Sequence, residues 1–460
     1  MRLILKPIFF LAWCVISYSS IAQAAEETLK PKPNIVYILA DDMGYADAGF
    51  NGGKEIKTPH LDRLAKAGTI LRSFYVQPVC SPTRASLMTG RYVTHTGVYS
   101  VVKPTTPWGL PLEERTLAQA LREAGYETAI SGKWHLGEFQ PAYLPTKRGF
   151  DHQYGLWFGA IDYFTHQRDG VLDWHKNDEP CKDEGYATHL IAKEASRMIR
   201  ERNPSKPLFL YLPFNAVHGP LQVPESYLAP YENLTGKRKT YAGMLAAMDE
   251  AIGHVVAALE EKQMLENTLI VFSSDNGGPS PGTVTDNGSL REGKGTLYEG
   301  GVRVCAFASW PGHIPAGKIV EEPIHIIDWY PTLIALAGGS LKQPLPVDGK
   351  DLWSVLTQGA KSPHEALLLH STSFGKAAAR VGDWKLIHGQ DAGKGGKKKA
   401  AVKPNNEYQL YNLSNDIGET KNLATSNPEK LAEMKVVLQH LLKDAVPSGE
   451  KGPAGADKEE

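Results

Sequence analysis

The segment Cys80-Ser81-Pro82-Thr83-Arg84 contains the residues with the most distinctive chemistry in this sequence. Pro82 suits the first turn of a helix, because proline lacks the N–H group that a helix start does not use. Cys80 and Arg84 are four residues apart, so a helix places them on one face. The cysteine would then lie at a helix N-terminus, which favours anions. An ordinary helix start fits the five residues as well.

The same segment and the helix predicted after it resemble the signature of the sulfatase family, in which the cysteine is oxidised to formylglycine. The resemblance extends from about residue 34 to residue 356. Within the family it is strongest to the arylsulfatase B type, the N-acetylgalactosamine 4-sulfatases, at VHGPLQVP (217–224), YAGM (241–244), LYEGGVR (297–303) and IIDWYPT (326–332). Those enzymes have an acidic residue where this chain has Gly219, and their C-terminal part is longer.

Two acidic pairs form a candidate metal site. Asp41-Asp42 follows the apolar run 34–40, and Asp275-Asn276 follows the run 268–274. Three carboxylates, an amide oxygen and a hydroxyl of modified Cys80 suit Ca²⁺, which accepts about 6–8 oxygen ligands in an irregular shell. Either pair alone is more often a turn or a helix cap. Both pairs together with Cys80 predict a metal site, and the resemblance assigns these residues to calcium.

Four basic residues are candidate partners of an anion: Lys133, His135, His218 and Lys294. A single Lys or His is usually a surface or packing residue. Two basic residues spaced by two after a strand, next to a carboxylate-rich site, are less easily explained by packing. The resemblance places all four around the sulfate group.

The resemblance also implies a role for each residue. Calcium, Lys133 and Lys294 would neutralise the sulfate ester. A hydroxyl of hydrated formylglycine, held by Arg84, would attack sulfur. His218 with Lys294 would protonate the leaving alcohol. His135 would take the proton of the second hydroxyl, so that the aldehyde reforms as sulfate departs. The cysteine would be converted by a formylglycine-generating or sulfatase-maturing enzyme.

The stretch from Asp162 to His175 is dense in aromatic and polar residues and is the candidate substrate-binding region. Aromatic faces and charged side chains suit a sulfated sugar, and an aromatic-packed surface loop fits the stretch equally well. Asp162, Tyr163 and His166 match a similar stretch in the arylsulfatase B type. We therefore predict that His166 and Arg168 bind a sulfated carbohydrate, with a galacto-configured sugar preferred.

The chain around these residues is predicted to alternate between strands and helices, and these elements would position the candidate side chains. Strands are predicted at 34–40, 126–131, 207–213 and 268–274, and helices at 60–68, 116–124, 187–200 and 241–263. This alternation predicts an α/β fold with a mostly parallel sheet and helices on both faces, and the resemblance implies the alkaline-phosphatase-like version of it. The polar residues follow the carboxyl ends of four strands, where ligands bind in open α/β sheets.

The chain divides into four predicted parts: a signal peptide (1–24), a sulfatase catalytic domain (25–360), a small C-terminal α+β subdomain (361–445) and a disordered tail (446–460). Short strand patterns at 378–387 and 407–413 indicate the subdomain. Between them, 393–403 is rich in Gly, Lys and Ala, which favours a disordered loop over a polyanion-binding segment.

The N-terminus has the features of an exported protein. Arg2 and Lys6 precede a short apolar run (8–16), and Ala22-Gln23-Ala24 is an A-x-A cleavage pattern. A membrane anchor needs roughly 20 apolar residues. We therefore predict a periplasmic or secreted protein without a transmembrane segment. After loss of the signal peptide, Cys181 and Cys305 could pair or remain free.

Two other functions fit parts of the pattern. A phosphodiesterase or phosphonate hydrolase of the same superfamily would share the metal site, but the Lys133/His135 pair and the arylsulfatase-like segments favour sulfate. A non-catalytic carbohydrate-binding protein would have lost at least one catalytic residue, and every predicted position is filled. The formal net charge of −1 provides no overall basic field for nucleic acid.

Overall fold

The structure is a computed structural model that describes residues 32–389 and 408–451. The predicted signal peptide and the segment 393–403 lie outside the described residues. The strands, in chain order, are β1 (Asn34–Ala40), β2 (Thr69–Leu71), β3 (Phe74–Tyr75), β4 (Glu127–Ser131), β5 (His152–Gly155), β6 (Gln167–Arg168), β7 (Val171–Leu172), β8 (His175–Lys176), β9 (Glu179–Pro180), β10 (Leu208–Pro213), β11 (Thr268–Ser274), β12 (Arg303–Val304), β13 (Ala306–Ser309), β14 (Lys318–Val320), β15 (Ile324–His325), β16 (Leu367–His370), β17 (Ala377–Val381), β18 (Trp384–His388) and β19 (Tyr408–Asn412). The α-helices are α1 (Pro59–Lys66), α2 (Cys80–Thr89), α3 (Val93–Thr96), α4 (Leu117–Glu123), α5 (Ala187–Glu201), α6 (Gly236–Glu261), α7 (Glu299–Val302), α8 (Trp329–Leu336), α9 (Trp353–Gln358) and α10 (Pro428–Leu441).

Ten strands form the central sheet, in the order β14-β2-β13-β11-β1-β10-β4-β5-β8-β9. The consecutive strands β11, β1, β10, β4 and β5 are parallel, and antiparallel pairs flank them on both sides. The predicted mostly parallel sheet is therefore confirmed. Because neighbouring parallel strands end at the same edge, four of the predicted polar segments meet there.

Helices cover both faces of this sheet, as predicted. Successive residues of a strand point to opposite faces. Val36 and Ile38 of β1 pack in one core with α1, α5 and α6, whereas Ile35 and Tyr37 pack in the other with α2, α4, α8 and α9. Burial on both faces explains why β1 is an unbroken apolar run rather than an alternating pattern.

Helix α6 is the one helix in the described parts of the chain that is long and apolar enough to cross a membrane by length and composition. Of its apolar window, 78% is buried inside the protein. Met244, Leu245 and Met248 belong to the core that α6 shares with α1 and α5. The apolar composition of this helix is thus used in packing against the sheet. Its start, Gly236, precedes the predicted start at Tyr241.

A second sheet of four antiparallel strands, β16-β17-β18-β19, lies in the C-terminal part and packs against α10. The strand predicted at 378–387 is in fact a hairpin made of β17 and β18. Gly382, in the two-residue turn between them, has a φ of 54°, in the left-handed region that glycine adopts readily. The apolar pattern alone did not reveal this turn.

A buried ionic group, which we call the anchoring cluster (Glu299, Lys385 and Glu419), joins this second sheet to α7. Lys385 Nζ lies 2.8 Å from Glu299 Oε1 and 2.9 Å from Glu419 Oε1. All three side chains are fully buried. The Tyr75 hydroxyl donates to the other oxygen of Glu299 at 2.7 Å, and Glu419 Oε2 accepts from the Glu299 N–H group at 2.7 Å.

The chain end is ordered further than predicted. The Val446 N–H group donates to Thr94 O at 2.7 Å, and the Tyr99 hydroxyl donates to Val446 O at 2.7 Å. Gly449 N donates to Gly97 O at 3.1 Å and begins a short 3-10 helix, Gly449–Lys451. The predicted disordered tail, 446–460, therefore begins too early, because these backbone groups find partners. Residues 452–460 lie outside the described part.

Candidate active site

The carboxyl ends of four adjacent strands, β11, β1, β10 and β4, carry most of the predicted site. The residues that follow these strands are Asp275 and Asn276 after β11, Asp41 and Asp42 after β1, His218 after β10, and Lys133 and His135 after β4. Their predicted convergence follows from the parallel order, since each turn that leaves a strand opens at the same edge. The contacts described next bring them together with Cys80, Arg84 and Lys294.

Arg84 fastens helix α2 to three strand ends. Its Nη2 atom lies 3.1 Å from Asp41 Oδ2 and 2.9 Å from Asp275 Oδ2, and Nη1 donates to Lys133 O at 3.0 Å. Cys80, the first residue of α2, lies one turn away on the same helix. One ligand atom from each of Cys80, Asp41 and Asp275 lies within 4.8 Å of the others. The pentapeptide thus places its cysteine beside the carboxylates.

Two oxygens of this group have no hydrogen-bond partner among the described residues. Asp41 Oδ1 and Asn276 Oδ1 are buried and accept no hydrogen bond from the described residues. Burial and the negative charge of Asp41 raise the pKa of Asp275 to about 6. Free hard oxygens fit a calcium-like cation held by Asp41, Asp42, Asp275 and Asn276. No ion is part of this structure.

Cations surround the carboxylates. Lys133 Nζ lies 2.5 Å from Asp41 Oδ2, and Lys294 Nζ lies 2.6 Å from Asp42 Oδ1. Burial acts to raise the pKa of Asp41, but Lys133 and the other nearby cations hold it below its usual value. Burial acts to lower the pKa of Lys294, and Asp42 outweighs it and raises that pKa.

The formal charges of the edge residues cancel: the three carboxylates of Asp41, Asp42 and Asp275 face the three cations Arg84, Lys133 and Lys294. A bound divalent cation would therefore make this group net positive. Such a group attracts an anionic substrate, because charges interact strongly where water is excluded.

Two histidines, His135 and His218, lie beside these charged residues. A backbone carbonyl next to one ring nitrogen of each indicates which nitrogen carries the hydrogen. His135 Nε2 lies 2.9 Å from the carbonyl oxygen of Val102, so Nε2 carries the hydrogen, while Nδ1 is buried without a partner in the described residues. Burial and the charge of Lys133 hold the pKa of His135 well below its usual value. His218 Nδ1 donates to Gly219 O at 2.7 Å, and its Nε2 lies 3.6 Å from Asp42 Oδ2.

Cysteine chemistry is limited by burial. Burial raises the pKa of the Cys80 thiol, so the unmodified side chain is a protonated and weak nucleophile. Cys181 and Cys305 are both free thiols in the structure, so the open question of their pairing is answered.

Sequence reasoning did not assign a role to two residues whose side chains support loops of the site through hydrogen bonds to backbone carbonyls. The Tyr163 hydroxyl lies 2.7 Å from Asn215 O and 2.8 Å from His218 O, which fixes the turn after β10. Asn287 donates to Glu292 O at 2.8 Å, close to Lys294. Tyr163 was matched to the arylsulfatase B type as part of a substrate-binding stretch and not in this supporting role, and Asn287 gave no signal beyond its turn-forming residue type.

The two predicted substrate-binding residues lie in different surroundings. His166 is buried, its ring stacks on Trp174 at 4.5 Å, and its Nε2 donates to Gly185 O at 3.0 Å. Arg168 lies on the hairpin β6–β7, partly exposed, with Nε 3.7 Å from Asp169. Protein contacts thus occupy His166, whereas Arg168 is accessible. Their assignment to substrate binding stays a prediction.

A parallel α/β sheet whose carboxyl edge combines a nucleophile candidate, free hard oxygens and balanced buried cations defines a hydrolase of anionic esters. Comparison with known proteins identifies the class further: residues 33–340 match the family Sulfatase. The chain belongs to the sulfatase family.

Individual relatives agree. Mouse arylsulfatase J is 41% identical over 368 residues, which is 78% of this chain and 61% of that protein's length. Dog N-acetylgalactosamine-6-sulfatase is 34% identical over 372 residues, 75% of this chain and 70% of that protein. The solved structure of Ps i-CgsB in complex with k-i-k-neocarrahexaose is 36% identical, with a TM-score of 0.82 over 91% of this chain and 94% of that one.

Proposed function

We propose that this protein is an exported, calcium-dependent sulfatase that removes sulfate from sulfated carbohydrates through a formylglycine made from Cys80. The observation that carries the proposal is the position of Cys80, whose sulfur lies within 4.8 Å of carboxylate oxygens of Asp41 and Asp275. A thiol whose pKa is raised by burial is a poor nucleophile there. Oxidation to an aldehyde would replace it with an oxygen that suits both the metal and sulfur chemistry.

Two groups would supply chemistry that the twenty amino acids lack. Formylglycine, when hydrated, offers one hydroxyl for attack on sulfur and a second whose deprotonation allows sulfate to leave. Calcium, held by Asp41, Asp42, Asp275 and Asn276, would supply positive charge next to the sulfate oxygens.

The side chains of this chain bind the substrate and move protons. Lys133 and Lys294, on opposite sides of the aspartate pair, bind the sulfate oxygens. Lys294 and His218 both approach Asp42 and are placed to donate a proton to the leaving alcohol. His135 is neutral, and its unpaired Nδ1 can accept a proton.

The relatives and the partly exposed residue Arg168 support a proposal for the substrate class. One relative is named for N-acetylgalactosamine 6-sulfate, and one solved structure contains a carrageenan oligosaccharide. Both sugars are galacto-configured, so we propose a sulfated galactan or galactosaminoglycan as substrate, with Arg168 among the residues that bind it. The signal-peptide features of the N-terminus support a periplasmic or secreted location, and Cys80 requires a maturing enzyme.

The central experiment links Cys80 chemistry to turnover. Peptide mass spectrometry gives the formylglycine fraction at Cys80, and sulfate release from an aryl sulfate is measured on the same preparations. Activity should rise in proportion to that fraction and vanish in Cys80→Ala. Cys305→Ala is the matched control, because Cys305 is also buried, packs in the hydrophobic core and donates a hydrogen bond from its thiol to Gly44 O at 3.9 Å. Full activity in a preparation without formylglycine would disprove the nucleophile.

A second measurement separates substrates. Aryl sulfate and aryl phosphate esters are compared at equal formylglycine content, and a higher rate on phosphate would favour the phosphodiesterase or phosphonate hydrolase alternative. On saccharides, Arg168→Ala should lower desulfation of a carrageenan oligosaccharide far more than hydrolysis of an aryl sulfate. Remote sugar contacts contribute binding energy that the aryl ester never uses. Equal losses on both substrates would remove Arg168 from the sugar site.

A further inference from the structure

One residue in the loop after α3, Val102, connects the helix that bears Cys80 to His135. The Val102 N–H group donates to Ser81 Oγ at 3.0 Å. Its carbonyl oxygen accepts from His135 Nε2 at 2.9 Å. Ser81, Val102 and His135 are all buried. Val102 therefore links two parts of the site. Its N–H group contacts Ser81, which directly follows Cys80 in the first turn of α2, and its C=O group contacts His135.

This connection fixes the tautomer of His135. A carbonyl oxygen only accepts hydrogen bonds, so the hydrogen of the neutral ring lies on Nε2 and Nδ1 presents a lone pair. Nδ1 is buried, and none of the described residues donates to it. Buried acceptors are nearly always satisfied in folded proteins. The lone pair on Nδ1 is therefore available to accept a proton.

The ring is also held from other directions. The His135 N–H group donates to Trp157 O at 3.0 Å, and His135 has a φ of 58°, in the region that non-glycine residues rarely adopt. A Cβ atom on Gly159 would lie 2.6 Å from Cε1 and Nε2 of the ring, so only a glycine fits there. The protein therefore keeps this imidazole in one orientation.

We propose that Ser81 is a positioning residue: through the backbone of Val102 it holds His135 in the Nε2-protonated tautomer and leaves Nδ1 free to accept a proton. The inference rests on the proposed function, because it concerns His135 as the base that lets sulfate leave. A hydroxyl at position 81 is what the connection requires. Threonine can accept from the Val102 N–H group in the same way, whereas alanine leaves that group unsatisfied.

The chain offers a matched control on the same helix. Ser86 is fully buried, like Ser81, but its Oγ has no hydrogen-bond partner in the described residues. Ser81→Ala and Ser86→Ala thus delete the same atom from the same buried helix. Only the first deletion breaks the connection to His135.

The kinetic test compares Ser81→Ala, Ser81→Thr and Ser86→Ala with the wild type. Activity is expressed per formylglycine, counted by mass spectrometry, because residue 81 also lies in the segment that a maturing enzyme must read. We expect kcat of Ser81→Ala to fall about tenfold, within the range of general base contributions, while KM changes little. For aryl sulfates whose turnover is limited by sulfate release, the loss should not depend on the leaving group, since His135 acts after the alcohol has departed. Ser81→Thr should restore kcat, and Ser86→Ala should match the wild type.

A spectroscopic test needs no formylglycine and decides the question where conversion fails. ¹⁵N spectra of histidine-labelled protein with intact Cys80 report the tautomer, and His135→Gln identifies the His135 signals. The wild type and Ser81→Thr should show the Nε2-protonated form alone, and Ser81→Ala a mixture of tautomers. An unchanged tautomer and kcat in Ser81→Ala, or an equal kcat loss in Ser86→Ala, would overturn the inference. A wild type that carries formylglycine but releases no sulfate would instead overturn the proposed function.

Discussion

Two groups of buried charges lie in this protein, and they differ in how completely their atoms are paired. In the anchoring cluster, each carboxylate oxygen of Glu299 and Glu419 has a cation or a donor within 2.9 Å. At the carboxyl edge of the central sheet, Asp41 Oδ1 and Asn276 Oδ1 have neither. The anchoring cluster has three fully buried charged side chains, and the edge group has six, of which Lys294 is partly exposed. The two groups differ in that the sheet edge has buried acceptor oxygens with neither a cation nor a hydrogen-bond donor among the described residues.

The pKa values of Glu299 and Asp275 differ in the same direction, although Glu419 of the anchoring cluster has a pKa raised to about 7. Burial acts to raise the pKa of Glu299, but Lys385 and two arginines lower it to about 2, so this carboxylate is fully compensated. Asp275 has a pKa raised to about 6, because burial and Asp41 outweigh the neighbouring cations. The buried oxygens of Asp41 and Asn276 that have no hydrogen-bond partner among the described residues, rather than the pKa values, indicate a missing positive partner at the sheet edge. We therefore expect substitutions in the anchoring cluster to change stability and substitutions at the sheet edge to change activity.

The largest effect is expected from Asp41→Asn, which keeps the shape of the side chain but removes a charged ligand. The value of kcat/KM should fall about 10³-fold, the scale of several kcal/mol of lost charge stabilisation. Added calcium should raise the melting temperature of the wild type, because a ligand that binds only the folded state stabilises it, and should no longer do so in the variant. Calorimetry with and without chelator measures this.

A buried aspartate elsewhere provides the control for that experiment. Asp249 accepts from the N–H groups of His60 and Leu61 at the start of α1. Asp249→Asn should lose stability and keep the full calcium response. Loss of the calcium response in Asp249→Asn, or its survival in Asp41→Asn, would break the distinction between the two kinds of buried carboxylate.

Lys385→Met should have the next largest effect, and on stability rather than chemistry. It leaves Glu299 and Glu419 without their shared cation, which costs about 3–5 kcal/mol of unfolding free energy. The rate per folded molecule should stay close to that of the wild type. Urea denaturation followed by activity measurement tests both parts. Lys430→Met, which removes a partly exposed ion pair with Glu433, should change stability by less than about 0.5 kcal/mol. Equal destabilisation in the two variants would contradict the role of the anchoring cluster.

The smallest effect concerns pH. Burial and the charge of Glu299 raise the pKa of Glu419 from 4.5 to about 7. Between these values the folded state holds a proton that the unfolded state has lost, so stability falls as pH rises from about 4.5 to about 7. Glu419→Gln removes this titration and should flatten that decline by about 2 kcal/mol. Urea denaturation at pH 5 and pH 7.5, with saturating calcium, measures the difference. Parallel declines in both proteins would show that Glu419 does not titrate as inferred.

The sequence was informative where candidate site residues directly follow predicted parallel strands. β1 and β11 were predicted to the residue, and the acidic pairs after them were expected to meet because parallel strands end at one edge. The anchoring cluster left no such pattern. Lys385 occupies an alternating position in β18, where a lysine normally indicates a solvent-facing side of the strand. Its burial depends on Glu299 and Glu419, which are distant in sequence, and only the folded packing brings them together.

Backbone contacts were equally invisible. The link from Ser81 through Val102 to His135 uses a peptide group, and any residue type at position 102 would provide the same N–H and C=O, proline excepted. The order of the ten strands likewise depends on long-range pairing that the local apolar patterns do not specify. Sequence reasoning predicted the side chains that meet at the sheet edge, but not the backbone contacts that hold them.

Helix α2 has a consequence for how the protein is made. Every one of its 10 residues is buried, and Cys80 is only 2% exposed. An enzyme that oxidises this cysteine needs the surrounding peptide in its own active site, which the folded protein does not allow. Under the proposed function, conversion of Cys80 would therefore precede folding of this part of the chain. Molecules that fold with an intact thiol are then permanently inactive, and adding the maturing enzyme to purified, folded protein should not rescue them.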